Sequence, residues 1–401
     1  MSVYWFMFSI PVLMSILPIK FNNSLNYRLL LTYAFICVLF IGFRFGVGGD
    51  WIRYLQMSNI AYNMNFLDFI IPDKFIYTQE QLESMRWEKL QELRLGIYNP
   101  GFLIIIWISQ HIGLDVLGLN LLCASVFMFG LHKLCKTQPY PWLAYVVAFP
   151  YLITVVAMGY VRQSFVIGIA FWCFSIWQKS EKYHEIKIII LALIGITFHK
   201  ISLFILPLIF IRNRGKFFNY YFILIGLLVL IIILYYLSLI QTIPLYIEHY
   251  IIKSNIHKYG ENPSVTISYG VMTRMLMNIP PCLLLIYFYR NFKEFGDRRL
   301  WTLISFFSII AFLASSYAST FIDRLGLYLI SLQIVVYSRI PLFINNVNVR
   351  KLFIYAICIF YFSVFFVWLN YSDSSWAWIP YNFSFNPPVA NQSGEPYWLI
   401  K

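Results

Sequence analysis

Residues 29–54 read LLLTYAFICVLFIGFRFGVGGDWIRY. The run Leu29–Phe43 is apolar on nearly every face of a helix, which suits lipid and packed neighbours better than the single apolar stripe of a soluble helix. Arg44, Gly46, Gly48, Gly49 and Asp50 then fall within seven residues, followed by Trp51, Arg53 and Tyr54. An apolar helix that empties into a charged, glycine-rich turn is a membrane span arriving at an interface.

The rest of the chain repeats the pattern. Of its 401 residues 60% are hydrophobic, 20% aromatic and 12% charged, and the mean hydropathy is +0.70. A soluble protein could not bury that much apolar surface, and no polar stretch is long enough for a soluble domain. The sequence therefore predicts one all-α polytopic membrane domain over residues 1–401. Hydropathy places about twelve spans, within a range of 11–14, each near the roughly 20 residues a bilayer needs. They lie near 2–19, 28–47, 114–133, 140–158, 161–179, 186–199, 201–212, 217–240, 269–289, 300–318, 325–343 and 352–370. The first lacks a basic flank and a small-residue cleavage site, so it reads as a retained helix rather than a signal peptide. Residues 98–113 are too short for a comfortable span and are expected to lie along or dip into the surface. The six cysteines all fall in or at the end of apolar segments, which predicts neither a disulfide framework nor a cysteine metal site.

Charge sets the topology. The loops near 20–28, 133–136, 179–187, 212–216, 290–299 and 339–351 hold 17 basic and four acidic residues, a surplus equal to the whole net charge of +13. Basic loops stay in the cytoplasm, so residues 48–113, 241–268, 319–324 and the tail 371–401 are expected to face outward. Dispersion over six short loops makes the basic pI of about 9.3 a matter of orientation, not of nucleic-acid binding. The large loop after the second span puts the elaborated face outside.

Polar residues within or beside spans need a reason, because a charge at mid-span costs roughly 2.5–3.5 kcal/mol. On this topology Arg44, Asp50, Arg162, His199, Lys200, Asp323 and Arg324 sit at outer helix ends, and Arg274 lies slightly deeper. Helix-end arginines also snorkel to headgroups, His199 reads equally as a helix cap, and Asp323–Arg324 as a structural pair. Gathered at one level of one face, however, several arginines and a carboxylate suit a lipid with a diphosphate headgroup. Guanidinium grips phosphate bidentately and stays charged, and a carboxylate can take the proton of an attacking hydroxyl. The glycines do not form a dinucleotide fingerprint, and neither a phosphate-loop GK[ST] nor HExxH occurs. No Asp-x-Asp is present, which argues against a metal-clamped nucleotide-sugar donor. His249 and His257 with Glu248 match no standard metal spacing. Outer aromatics, among them Trp51, Tyr98 and Trp378, suit sugar stacking as well as an interfacial belt.

The same residues carry a resemblance. Arg44-Phe-Gly-Val-Gly-Gly-Asp50-Trp with Tyr54 resembles the Arg-x-Gly-x-Gly-x-Asp-Tyr of the Wzy-type polysaccharide polymerases, in particular the EpsG-like family. It continues in order through Tyr98-x-Pro100-Gly-Phe, Val161-Arg162-Gln163-Ser-Phe, Phe198-His199-Lys-x-Ser202, Asp323-Arg324 with Tyr328, and Trp378-Ile-Pro380-Tyr381. Trp51 stands where tyrosine is usual, Gly49 where threonine is common, and the histidine motif carries one extra residue.

The resemblance implies a GT-C-like membrane glycosyltransferase of the bacterial cytoplasmic membrane, active on its periplasmic or extracellular face. Such an enzyme moves a growing glycan from undecaprenyl diphosphate onto a new lipid-linked repeat unit, for O-antigen or exopolysaccharide, without nucleotide, metal or other cofactor. Its partners would be the lipid-linked donor and acceptor, membrane lipid and a chain-length regulator. On this reading Asp50 is the base and His199 the alternative. Arg44, Arg162, Arg274 and Arg324, with Gln163 and Tyr54, hold the diphosphate, and Trp51, Tyr98 and Trp378 stack on glycan. An O-antigen ligase or other lipid-linked-sugar transferase is the nearest rival. A lipid-linked oligosaccharide flippase is the second, disfavoured because no repeated halves or mid-membrane charge path occur.

Overall fold

A computed structural model describes residues 1–17, 22–70, 99–179, 183–211, 270–316 and 319–384. The described residues form helices α1 (Ser2–Ile16), α2 (Asn23–Gly42), α3 (Trp51–Tyr62), α4 (Phe66–Ile70), α5 (Pro100–His111), α6 (Asp115–Cys135), α7 (Pro141–Gly159) and α8 (Val161–Lys179). There follow α9 (His184–Ile196), α10 (Val271–Leu276), α11 (Ile279–Tyr287), α12 (Arg298–Ala314), α13 (Ser319–Leu329), α14 (Ser331–Phe343) and α15 (Val347–Tyr371). The one extended pairing among them is a single bridge between Arg44 and Phe383.

Among the described residues, five helical runs are long and apolar enough to cross a membrane: α2, α6, α7, residues Phe321–Phe343 and α15. Several expected spans take other forms. The segment near 201–212 is a 3-10 helix, Lys200–Ile211, with Pro207 inside it. The segment near 269–289 breaks at Asn278 into α10 and α11, where Pro280 and Pro281 bring no N–H to the preceding turn. Residues expected to lie along the surface form the 12-residue α5. The span near 217–240, the loop 241–268 with His249 and His257, and residues 71–98 lie outside the described residues, as does the tail beyond 384.

Local sequence explains the helix boundaries. The Asn22 side chain accepts the Leu25 N–H at 2.7 Å to start α2, and Asn346 does the same for α15 at the N–H groups of Asn348 and Val349. Such N-caps satisfy donors that would otherwise be orphaned. Pro141 opens α7, whose middle, Phe149–Val156, winds as π-helix beginning at Phe149-Pro150. α7 is 94% buried, against 33% for α15 and 39% for α2. It is therefore a central helix, while the other two present broad apolar surface of the kind that faces lipid.

The chain divides into two compact units. The first comprises residues 1–66, 104–175 and 334–401. Here α6 and α8 cross at paired glycines: a Cβ on Gly130 would stand 1.8 Å from the Gly168 carbonyl oxygen, and one on Gly168 would stand 2.5 Å from Phe127 Cα. Small residues are what let membrane helices approach this closely. Gly168→Val, which cannot fit without separating the helices, is expected to abolish accumulation of folded protein. Quantitative immunoblotting of membranes and size-exclusion chromatography in detergent check this, and a normal monodisperse peak would refute the crossing.

The second unit comprises residues 67–103 and 176–333. The buried Asp297 carboxylate closes the start of α12, accepting from Gln178 Nε2 at 2.8 Å and Trp301 Nε1 at 2.7 Å. Gln333 Nε2 donates to Asn278 Oδ1 at 2.6 Å, so the α10–α11 break is hydrogen-bonded to a neighbouring helix rather than left to lipid, where an unmet polar group is costly.

Candidate functional site

Three motifs far apart in sequence meet in the first unit. After α2 ends, the turn 43–50 runs alongside the segment 377–384, which we call the strap. Phe45 N–H donates to Asn382 O at 2.9 Å, Ser384 N–H to Phe43 O at 2.8 Å, and Gly48 N–H to Ala377 O at 2.8 Å. Gly46 and Gly48 take φ of +64° and +110°, open to glycine at little cost. A Cβ on Gly48 would also stand 2.2 Å from the Met158 carbonyl oxygen. The third motif enters there, because Met158 and Gly159 lead into α8 with Arg162 in its first turn.

Arg44 lies inside this junction. It is 1% exposed, with Nε donating to Val47 O at 3.0 Å, Nη1 to Ile41 O, and Nη2 to Asn120 Oδ1 at 2.9 Å. The last carbonyls of a helix lack intrahelical donors, and the α2 end meets that need with side chains: Arg44 on Ile41, and Tyr381 Oη on Phe40 O at 2.8 Å. The cation also complements the negative end of the helix dipole. Burial pulls Arg44 down to about 10, so it stays charged at neutral pH. The sequence reading placed Arg44 on a diphosphate. In the structure the guanidinium is turned inward, because the end of α2, the turn after it and Asn120 each claim one of its nitrogens.

Arg44→Ala would strip a donor from three buried acceptors, each costing about 1–3 kcal/mol when unmet. The apparent unfolding temperature in detergent is therefore expected to fall by several degrees. Arg44→Lys should not restore it, since an ammonium cannot reproduce the fork; an unchanged melting curve for Arg44→Ala would contradict this role. Asn120, missed by the sequence reading, carries a signal that could have found it: a side-chain amide inside the apolar α6.

Asp50, Tyr54 and Arg162 form the polar centre of the unit. Tyr54 Oη donates to Asp50 Oδ2 at 3.0 Å, one helical turn away, and the Arg162 guanidinium lies beside the same hydroxyl. Burial and the Asp50 carboxylate push Tyr54 up, with Arg162 opposing them, so the phenol remains a donor. Tyr54 is 1% exposed, whereas Asp50 and Arg162 are half-buried. α3, which carries Asp50 and Tyr54 at its start, is anchored lower down by Ser58 Oγ, which donates to the Asp115 carboxylate. Gln163, next to Arg162, is buried.

Trp51 and Trp378, expected to stack on glycan, are buried and pack on protein instead. Trp51 packs against Phe45 with ring centroids 5.4 Å apart and the planes tilted by 60°. Trp378 donates from Nε1 to Thr154 O at 2.9 Å and covers Gly159, where a Cβ would stand 2.4 Å from the indole. An indole over a glycine gains close contact that a larger residue would deny. Trp378 thus locks the strap to the end of α7.

The second unit gathers the other motifs. Gly101 N–H donates to Thr197 O at 3.0 Å, and a Cβ on Gly101 would stand 2.2 Å from Thr197 Oγ1, so the Pro100-Gly-Phe motif rests on the histidine motif. Tyr98 lies outside the described residues. His199 Nδ1 accepts the Ile201 N–H at 3.3 Å, which places the proton of the neutral ring on Nε2. Ser202 Oγ donates to Ala192 O at 3.1 Å. Arg274 binds Asp323 Oδ1 through Nε at 2.7 Å and Nη2 at 2.5 Å. The partner of Asp323 across this bond is thus Arg274, 49 residues away, rather than only its neighbour Arg324. Both side chains of the pair remain partly exposed, at 20% and 16%.

Each unit therefore presents arginine beside carboxylate, with a histidine in the second. The model of the EpsG family matches this chain over residues 27–383, a stretch that takes in every motif described above. No curated protein and no solved structure matches it.

Proposed function

The chain belongs to the EpsG family, and from that premise we propose that it is a membrane glycosyltransferase of the polysaccharide-polymerase type. It transfers a growing glycan from undecaprenyl diphosphate to a lipid-linked repeat unit at the outer face of the cytoplasmic membrane. The observation that carries this reading is the Asp50–Tyr54–Arg162 cluster. A carboxylate and a guanidinium, both half-buried, are held on one buried phenol at the junction of three motifs.

Asp50 takes the proton of the acceptor sugar hydroxyl as the oxygen attacks the anomeric carbon of the donor. The bond from that carbon to the diphosphate oxygen breaks, and the glycosidic bond forms in its place. Arg162 stabilises the charge that grows on the departing diphosphate. Its position in the first turn of α8 is unfavourable for a cation alone but favourable for an anion beside it, so an arriving diphosphate meets both guanidinium and helix terminus. Tyr54 fixes the Asp50 carboxylate, and Arg44 braces the turn that presents it. In the second unit, taken by itself, Arg274 and Arg324 are the candidate diphosphate ligands. His199 is the alternative base or a donor to substrate oxygen.

The purified protein in lipid nanodiscs, supplied only with undecaprenyl-diphosphate-linked repeat units, is expected to make a ladder of lengthening products. It should do so without nucleotide and with EDTA present. A requirement for nucleotide sugar, or a full loss of activity in EDTA restored by a divalent metal, would overturn the mechanism.

A further inference from the structure

At the outer end of the first unit, on the orientation proposed above, α1, α2 and the strap enclose an apolar groove of about 520 Å3, lined by Val3, Ile36, Leu39, Phe40, Tyr381 and Phe383, with Asn382 at its edge. That volume lies within the roughly 300–1,000 Å3 typical of small-molecule sites. The floor is aromatic: Tyr381 stacks on Phe40 at 5.0 Å, and its hydroxyl is turned to the Phe40 carbonyl, so the groove meets the ring rather than the polar tip. The rim is open, with Val3 40% and Ile36 38% exposed on helices whose other exposed side chains suit lipid, and Phe383 38% exposed on the strap.

The strap has a second role. While Tyr381 and Phe383 line the groove, Asn382 O accepts from Phe45 N–H and Ser384 N–H donates to Phe43 O, which pairs Phe383 with Arg44, a few residues before Asp50. One short segment therefore touches both an apolar slot open to lipid and the turn that carries the proposed base.

We propose that this groove holds the first isoprene units of the polyprenyl chain on a lipid-linked substrate, setting the depth at which the diphosphate reaches Arg162. The proposal rests on the polymerase reading. The occupant is a single chain with branching methyl groups and double bonds, suited to an aromatic floor. An ordinary phospholipid brings two straight chains and no diphosphate. Because lipid tails are as apolar as the groove, the groove adds only modest affinity for the chain, and a filled groove should weaken binding of the substrate without unfolding the protein.

Photo-crosslinking tests this on the full-length protein in nanodiscs of phosphatidylethanolamine and phosphatidylglycerol. The probe is undecaprenyl diphosphate carrying a diazirine in its first isoprene units. Adducts are expected on peptides containing residues 3, 36–40 and 381–383. They should be competed by unlabelled undecaprenyl diphosphate and not by added phosphatidylglycerol. Ile36→Trp and Val3→Trp, two exposed positions on opposite walls, should each cut labelling several-fold and raise KM for the lipid-linked repeat unit about tenfold with kcat nearly unchanged.

Adducts elsewhere, equal competition by phosphatidylglycerol, or unaltered labelling and KM in both variants would overturn the groove assignment. The two readings fail separately. Wild-type protein that elongates glycan but carries its label elsewhere loses the groove and keeps the polymerase. Protein labelled in the groove that never elongates glycan keeps the polyprenyl site and loses the polymerase.

Discussion

Arg162→Ala is expected to lower polymerisation by about 10²–10³-fold, the cost of removing one donor from a site of developing negative charge, while the protein remains folded and in the membrane. The geometry separates Arg162 from Arg44 on this point. Arg44 is enclosed by backbone and Asn120 acceptors, so its loss should first be a loss of stability. Arg162 is half-buried at the start of α8 beside the Tyr54 hydroxyl, where a ligand can reach it. Arg162→Lys keeps the charge and loses the planar fork, and should recover only part of the activity. Initial rates with lipid-linked repeat units, alongside the melting curve of each variant, check the pair. Wild-type rates in Arg162→Ala would remove it from the mechanism.

Asp50→Asn is the second large effect. The amide keeps the shape and can still accept from Tyr54 Oη, but it cannot take up a proton, so a general base at this position is worth about 10²–10⁴-fold. Tyr54→Phe removes only the hydroxyl that orients the carboxylate and should cost much less. A strong defect in Tyr54→Phe with a mild one in Asp50→Asn would reverse the roles. If both variants are mild while His199→Ala is dead, the base lies in the second unit.

Much of the site was legible in the sequence because its motifs combine residue types that hydropathy penalises. Arginine, aspartate and paired glycines at the end of an apolar run need a reason, and the structure joins 43–50 to 377–384 through backbone hydrogen bonds and packs Gly48 and Trp378 closely against 158–159. The junction of Gly101 with Thr197 likewise links two motifs recognised separately. The inward turn of Arg44 was not legible. Whether a helix-end arginine faces ligand or protein depends on which donors reach the last carbonyls of α2, and those donors, Tyr381 and Ser384, come from more than 330 residues away in sequence.

The tryptophans misled for a related reason. Trp51 and Trp378 have the composition of a sugar-stacking surface, but Gly159 creates a flat seat that only tertiary structure brings beneath the Trp378 indole. Asp323 sits next to Arg324 in sequence, and that neighbourhood gives no sign of its ion pair with Arg274, which comes from another helix 49 residues away. Hydropathy found the apolar stretches. It could not tell a straight span from the 3-10 turns after Lys200 or from the break at Asn278, because both are as apolar as the helices around them.

The most direct measurement is a gel of surface and lipid-linked polysaccharide from a strain lacking this protein, complemented with wild type, Asp50→Asn or Arg162→Ala at matched expression. A polymerase working through this cluster predicts a full ladder with wild type, and collapse to single repeat units in the deletion and both variants. Long lipid-linked chains accumulating in the deletion, or repeat units trapped on the inner face, would contradict it in favour of a ligase or a flippase. A full ladder in both variants would contradict the cluster itself.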